Sequence, residues 1–266
     1  MSTPLERLFE STRGERAILI GYIPAGFPNQ ADSYRIIQAM VDGGVDAIEI
    51  GFPYSDPVMD GPIIQAAADQ ALRNGAGAKE VFETLKFAAS LVPSLIMTYW
   101  NPIERYGVEN FARDLAANGG SGVITPDLTI EESGEWISTT TAHGVNRIYV
   151  VAPSTQEERL AKVTQQGSGF IYAASLMGVT GLRTSVSSGA EDLVSRIRKT
   201  TSIPVAVGLG VSNGVQAAEV AAYADGVIVG SAFIRAVQEA PSLDAGLVAV
   251  RELAESLAAG VRSAKR

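Results

Sequence analysis

Short apolar runs alternate along the chain with stretches in which apolar residues return every three or four positions. Eight runs are nearly continuous in apolar residues, at 17–22, 47–50, 95–99, 122–125, 147–152, 170–173, 205–207 and 226–229. Such runs suit strands of a parallel sheet, where both faces are covered and neither meets water. Helical periodicity fills the intervals at 32–41, 63–71, 78–90, 109–117, 131–142, 156–164, 190–199, 214–222 and 232–238, with a final helix at 243–257.

Strands that alternate with helices imply right-handed βαβ units and a parallel sheet. Eight units in 266 residues favour an α/β fold of the closed (β/α)8 TIM-barrel type, which needs roughly 250 residues. An open doubly wound sheet is the rival. Its G-x-G-x-x-G turn after the first strand is missing, because Gly21, Gly26 and Pro28 do not match that spacing. The stretch at 63–71 is one helix more than the second unit requires, so an extra helix is expected after strand 2. A helix around 4–10 is expected to cap the barrel bottom. With no linker or low-complexity tract, residues 1–266 read as a single domain.

Composition narrows the function classes. The chain has no cysteine, so disulfides and thiolate chemistry are out, and with no secretory pattern at the N-terminus a cytoplasmic location is expected. A net charge of −8 argues against nucleic acid, whose binders need a basic surface. An anionic small molecule remains compatible, since a few backbone donors hold a phosphate whatever the global charge. No apolar run approaches the roughly 18 residues of a membrane-spanning helix.

In a barrel, chemistry gathers where the strands end. Glu49 lies inside the apolar run Ala47-Ile-Glu49-Ile. Desolvation there raises a carboxyl pKa and suits a general acid/base, unless an arginine pairs with it inside the barrel. The next loop, Gly51-Phe-Pro-Tyr-Ser-Asp56-Pro-Val-Met-Asp60-Gly-Pro62, is stiffened by three prolines and ends in an Asp-Gly turn signal. Asp60 is a second carboxylate for the barrel mouth, or else only a turn or capping residue. Glycine motifs follow three successive late strands: Gly178-Val-Thr-Gly181, Gly208-Leu-Gly210 and Gly230-Ser231-Ala232. Together they suit a phosphate cradle, with a helix opening at Ser231 to add its dipole.

Two residue types narrow the chemistry. The lysines, at 79, 86, 162, 199 and 265, fall on predicted helices or the tail, which disfavours a Schiff-base aldolase. The single histidine, His143, sits at the end of a helical stretch, so no histidine-based metal site is available. A carbon–carbon lyase on this frame would have to run on carboxylates.

The segment Glu49-Ile-Gly-Phe-Pro-Tyr-Ser-Asp-Pro-Val-Met-Asp60-Gly-Pro-Ile-Ile-Gln65 resembles the signature of tryptophan synthase alpha subunits. Gly21-Tyr-Ile-Pro-Ala-Gly-Phe-Pro28, Met97-Thr-Tyr-Trp-Asn-Pro102 and the three glycine motifs fall in that family's order. The resemblance implies a lyase of tryptophan biosynthesis that splits indole-3-glycerol phosphate into indole and glyceraldehyde-3-phosphate. By the same resemblance Glu49 is the main acid/base, and Asp60 holds the indole N–H and stabilises the positive indolenine. Tyr172 lies near the glycerol portion, and Gly181, Gly210, Gly230 and Ser231 form the phosphate cradle. Tyr22, Tyr99 and Leu209 wall the indole pocket.

The family partner is a beta subunit carrying pyridoxal phosphate, in an alpha2beta2 tetramer, while the alpha chain itself needs no cofactor. Segments 53–56 and 99–102, including Pro53, Asp56 and Asn101, are implied in that contact. One departure is Leu176, where some relatives carry an arginine after the serine; it bears on how the loop after strand 6 is anchored. Two other readings stay open. One is a different phosphate-binding barrel, although indole-glycerol-phosphate synthase is expected to need a strand-end lysine and triosephosphate isomerase a histidine and a lysine. The other is a catalytically silent barrel that serves as an allosteric partner.

Overall fold

All the apolar runs form strands, and every strand pair is parallel. The structure, a computed structural model, describes residues 2–174, 188–208 and 210–265. Its strands are β1 (Ile18–Pro24), β2 (Ala47–Gly51), β3 (Ser94–Met97), β4 (Gly122–Ile124), β5 (Asn146–Ile148), β6 (Val150–Val151), β7 (Ile171–Ala174), β8 (Val205–Gly208) and β9 (Gly226–Val229). The helices are α1 (Pro4–Thr12), α2 (Gln30–Asp42), α3 (Pro62–Arg73), α4 (Ala78–Ala89), α5 (Trp100–Tyr106), α6 (Val108–Ala117), α7 (Gly134–His143), α8 (Glu157–Gln166), α9 (Ser188–Arg198), α10 (Gly214–Ala221), α11 (Ser231–Gln238) and α12 (Leu243–Ser263).

The strands neighbour one another in the order β5-β4-β3-β2-β1-β9-β8-β7-β6. The two ends of that order, β5 and β6, are separated in the chain only by Tyr149. The Tyr149 carbonyl accepts a hydrogen bond from the Tyr172 N–H at 3.1 Å. One segment therefore pairs with β4 through its first half and with β7 through its second. The sheet closes into the expected (β/α)8 barrel. The run expected as one strand at 147–152 is split for the same reason: its two halves serve different neighbours.

Strand side chains alternate between two cores. Leu19, Ile48, Ile50, Ile96, Val123, Val205, Val207, Val227 and Val229 face outward into the layer shared with the helices. Ile18, Ile20, Ala47, Leu95, Ile124, Ile148, Phe170, Ala206 and Ile228 face the barrel centre. Helix α1 closes the bottom of that inner core. Its Leu5 and Phe9, one helical turn apart, join the inner cluster, and the Phe9 and Phe170 rings lie 5.7 Å apart. A reciprocal cap starts α1: the Glu6 N–H donates to Thr3 Oγ1 at 3.2 Å, and the Thr3 N–H donates to Glu6 Oε2 at 2.7 Å. Buried Asn146 Nδ2 donates to the same Thr3 hydroxyl at 2.7 Å and ties the cap to the barrel wall.

The extra helix after strand 2 is α3. Two expectations need correction. The helix expected at 131–142 begins at Gly134, because Thr129 and Glu132 close a separate turn through side chain and backbone, at 2.9 and 3.1 Å. Helix α5 was not expected: at seven residues it is too short to show a period. Its first N–H, of Trp100, is held at 2.9 and 3.0 Å by the two carboxylate oxygens of Asp127, a cap supplied from a distant loop.

Candidate active site

One pleat beyond the packed centre, the inward positions change character. Two residues on from Ile20, Ala47, Leu95, Phe170, Ala206 and Ile228 stand Tyr22, Glu49, Met97, Tyr172, Gly208 and Gly230. The period of two along a strand puts each of these at the mouth side of the barrel. They line a cavity of about 160 Å³, closed over by Met59, Asp60, Ile64, Gly210 and Ser231. Chemistry thus begins one layer above hydrocarbon, which keeps water from the base of the site.

Glu49 is 1% exposed, and its Oε2 has no hydrogen-bond partner among the described residues. Burial, and then the nearby Asp60 charge, push its pKa up to about 8. No arginine pairs with it among the described residues, which supply no partner for the reading of Glu49 as a structural ion pair. A carboxyl in this setting is protonated near neutral pH and gives up its proton readily once a developing charge approaches.

Asp60 is not the helix cap. The N-cap of α3 is Gly61, with no side-chain capping bond, and Pro62 opens the helix. The Asp60 carboxyl lies in the cavity wall, its pKa raised by burial and lowered by a hydrogen bond from the Tyr99 hydroxyl. Tyr99 also accepts from the Met59 N–H at 3.1 Å, and its ring packs on Tyr54 at 5.5 Å. Gln65 Nε2 donates to the Asp60 carbonyl at 2.7 Å from the first turn of α3. The loop is thereby pinned on both sides of the carboxylate.

Tyr99 lies outside the cavity lining, buried behind the loop. Burial pushes its pKa up to about 12. The resemblance implies Tyr99 as a wall of the indole pocket; in the structure its hydroxyl donates to Asp60 and accepts from the Met59 N–H. Tyr22 and Tyr172 do line the cavity. Burial raises both phenols, and the charges of Glu49 and Asp60 add to the effect, so both are neutral hydroxyl groups. Their close approach explains two glycines. A Cβ on Gly51 would collide with the Tyr22 hydroxyl, and one on Gly208 with the Tyr172 hydroxyl.

On the opposite wall, α11 starts at Ser231 with Gly230 as its N-cap and no side-chain cap. A helix N-terminus that opens on a cavity carries free N–H groups and a favourable dipole for an anion. Gly210, at φ +69°, adopts the left-handed conformation that favours glycine. Gly181, Leu209 and Leu176 lie outside the described residues. Of the residues proposed for partner contact, Asp56 and Asn101 are exposed and Pro53 is buried within the chain. Beside Asp56, Val58 and Met59 are also exposed. Met59, Ile64, Met97 and Ile228 were missed as cavity-lining residues, and Gly208 was named only within its glycine motif. The signal for Met97 and Gly208 was there, two residues beyond the inward Leu95 and Ala206.

A family model described as tryptophan synthase alpha chain matches residues 9–262. The chain belongs to the tryptophan synthase alpha chain family. It is 55% identical to the tryptophan synthase alpha chain of Thermobifida fusca over 270 residues, covering 100% of both chains. It is 56% identical to that of Streptomyces coelicolor over 249 residues, covering 93% of this chain and 92% of the other. Among solved structures, tryptophan synthase from M. tuberculosis in an open form with BRD0059 bound matches with a TM-score of 0.90 at 46% identity, covering 98% of this chain and 99% of that one. The alpha chain from Legionella pneumophila matches at 0.87 and 29% identity, covering 98% of each. The chain is a lyase, and the reaction of its family is the retro-aldol cleavage of indole-3-glycerol phosphate to indole and glyceraldehyde-3-phosphate in tryptophan biosynthesis.

Proposed function

We propose that Glu49 is the acid/base of this cleavage and Asp60 its electrostatic partner. The observation that carries the assignment is the burial of Glu49, with no ion-pair partner among the described residues, beside Asp60 in one small cavity. In the protonated state favoured by burial, Glu49 delivers its proton to C3 of the indole ring. The ring nitrogen becomes positive, and the Asp60 carboxylate accepts its N–H and stabilises that charge. The Glu49 carboxylate then takes the proton of the hydroxyl on the carbon attached to C3. The oxygen lone pair forms the aldehyde, the C–C bond breaks, and its electrons restore the aromatic ring. Glu49 ends the cycle protonated again.

The remaining wall residues bind. Tyr172, neutral and beside Glu49, hydrogen-bonds the glycerol portion. Gly210, Gly230 and Ser231 present backbone N–H groups to the phosphate at the start of α11, and Gly181 belongs to the same cradle. Tyr22 walls the indole side, with Leu209. The pocket needs no cofactor of its own for these steps, since acid, base and charge stabiliser all come from side chains.

Family membership implies a beta-chain partner carrying pyridoxal phosphate. We place its contact on the loop bearing Asp56 and on Asn101, with Pro53 setting the loop from below, in an alpha2beta2 tetramer. Residues 1–266 act as one domain, since strands from the whole length share one sheet. The absence of cysteine from the sequence suits the cytoplasm. The test is product release by Glu49→Gln, which keeps shape and hydrogen bonding but carries no exchangeable acid proton. Release of glyceraldehyde-3-phosphate is expected to be abolished while binding of the phosphate substrate persists. Near-normal turnover by the folded variant would end the assignment.

A further inference from the structure

A second cavity, of about 380 Å³, opens on the floor of the barrel, the face opposite the site. Its walls come from the end of α1, the approach to β1, the connection from α9 to β8, and the residue before β9. In a chain of net charge −8, it is lined by three guanidinium groups, Arg13, Arg16 and Arg198, and one carboxylate, Asp225.

Most of that charge is already matched. Arg16 is held by both oxygens of Asp46 at 2.8 Å. Arg198 donates to Asp225 Oδ1 at 3.2 Å, while Asp225 Oδ2 accepts from the Val205 N–H at 3.0 Å. Arg13 differs. Its Nη2 donates to the Ser202 carbonyl at 2.8 Å, and it forms no ion pair among the described residues. A guanidinium has five N–H donors in a planar fork suited to a carboxylate. Among the described residues, Arg13 and Arg198 thus keep donors without a protein acceptor, and the side chains Arg13, Arg16, Arg198 and Asp225, with Asp46 paired to Arg16, leave one positive charge over. The rest of the wall is mixed: Thr12, Thr201 and Ser202 add polar groups, while Phe9, itself 4% exposed, Ile203 and Pro204 add apolar surface.

We propose that this floor cavity is a binding site for a small amphipathic monocarboxylate. Its carboxylate pairs with Arg13 and, through a spare donor, Arg198; its planar apolar body lies against Phe9 and Ile203. One anionic charge balances the pocket, whereas a dianion would meet Asp225. The site is separate from the catalytic cavity: Arg16 and Pro204 precede the first residues of β1 and β8, whereas Gly208 and Gly230 lie at the far ends of β8 and β9. Occupancy would tie α1 to the segment that joins α9 to β8.

The probe is phenylacetate, titrated into the full chain and followed by backbone amide shifts in the NMR spectrum, with phenylacetamide as its uncharged counterpart. Saturable shifts centred on Thr12, Ser202 and Asp225 are expected with phenylacetate and not with phenylacetamide. Arg13→Gln is expected to weaken binding about tenfold, the loss of one charge-assisted contact at a half-open site. Arg198→Gln, on a second exposed side chain, is expected to weaken it as well. Equal response to the neutral amide, shifts centred on Gly230 and Ser231, no saturable response, or unchanged affinity in both variants would overturn the proposal.

Discussion

Replacing Glu49 by glutamine is expected to stabilise the protein, and to do so more strongly as the pH rises. In the folded chain, burial lifts the Glu49 pKa from the ordinary 4.5 to about 8. The unfolded chain has lost its proton by about pH 5, while the native chain still holds it. Unfolding then releases a proton, so stability falls with pH throughout the interval. The stability tied to this proton is fully present below pH 4.5, drains away as pH rises through about 8, and is flat beyond. At ~1.36 kcal/mol for each tenfold change in proton affinity, the interval amounts to about 5 kcal/mol in a dry pocket. Water drawn in with the charge reduces the figure. Glutamine has no such proton, and the stability difference between variant and parent therefore widens between pH 4.5 and 8 and is constant above. Urea denaturation of both proteins across pH 4.5 to 9 measures it directly, since midpoint and slope give each free energy. A difference that stays level across that range would show that Glu49 ionises at an ordinary pKa, and the general-acid argument would fall with it. The same burial that readies the proton thus makes the fold less stable at working pH.

Asp60→Asn is expected to lower kcat by about 10²–10³, the loss of one electrostatic stabiliser in a confined site. The same change removes the charge that helps raise the Glu49 pKa, so the alkaline limb of the kcat/KM profile is expected to move to lower pH; an unmoved limb would place Asp60 outside the field of Glu49. Gly208→Ala drives a Cβ into the Tyr172 hydroxyl and is expected to cost about 1–3 kcal/mol of stability, as overpacking does. Thermal denaturation of the double variant with Tyr172→Phe is expected to recover part of that loss. Strict additivity of the two changes would show that the collision is not the cause.

Much of this site was legible before any coordinates. Glu49 stands out because a carboxylate inside an apolar run is rare unless paired or functional. Asp60 was visible only with the pattern around it, since an Asp-Gly pair by itself reads as a turn. Gly230 and Ser231 followed from their place between a strand and a helix. How Tyr99 holds the Asp60 loop was not legible in the sequence, for a simple reason. Its position at a strand end is local information, whereas its partners, Met59 and Asp60, lie some forty residues back, at Met59 N–H to Tyr99 Oη 3.1 Å for the first.

The alternation of apolar runs and helical periods is written within windows of a few residues, so the sequence by itself determined the strands, most helices, the extra helix α3 and the barrel class. It also determined the menu of chemistry, since a chain with no cysteine and one histidine leaves the work to carboxylates and hydroxyls. Contacts between distant segments were decided only by the tertiary structure. The pairing of one segment with both β4 and β7 closed the barrel, and Asp127 started α5 from 27 residues away. Among the described residues the structure also left Glu49 without an arginine. Burial and pairing of a charge depend on every element packed around it, and the raised pKa of Glu49 belongs to that packing, not to its neighbours in the chain.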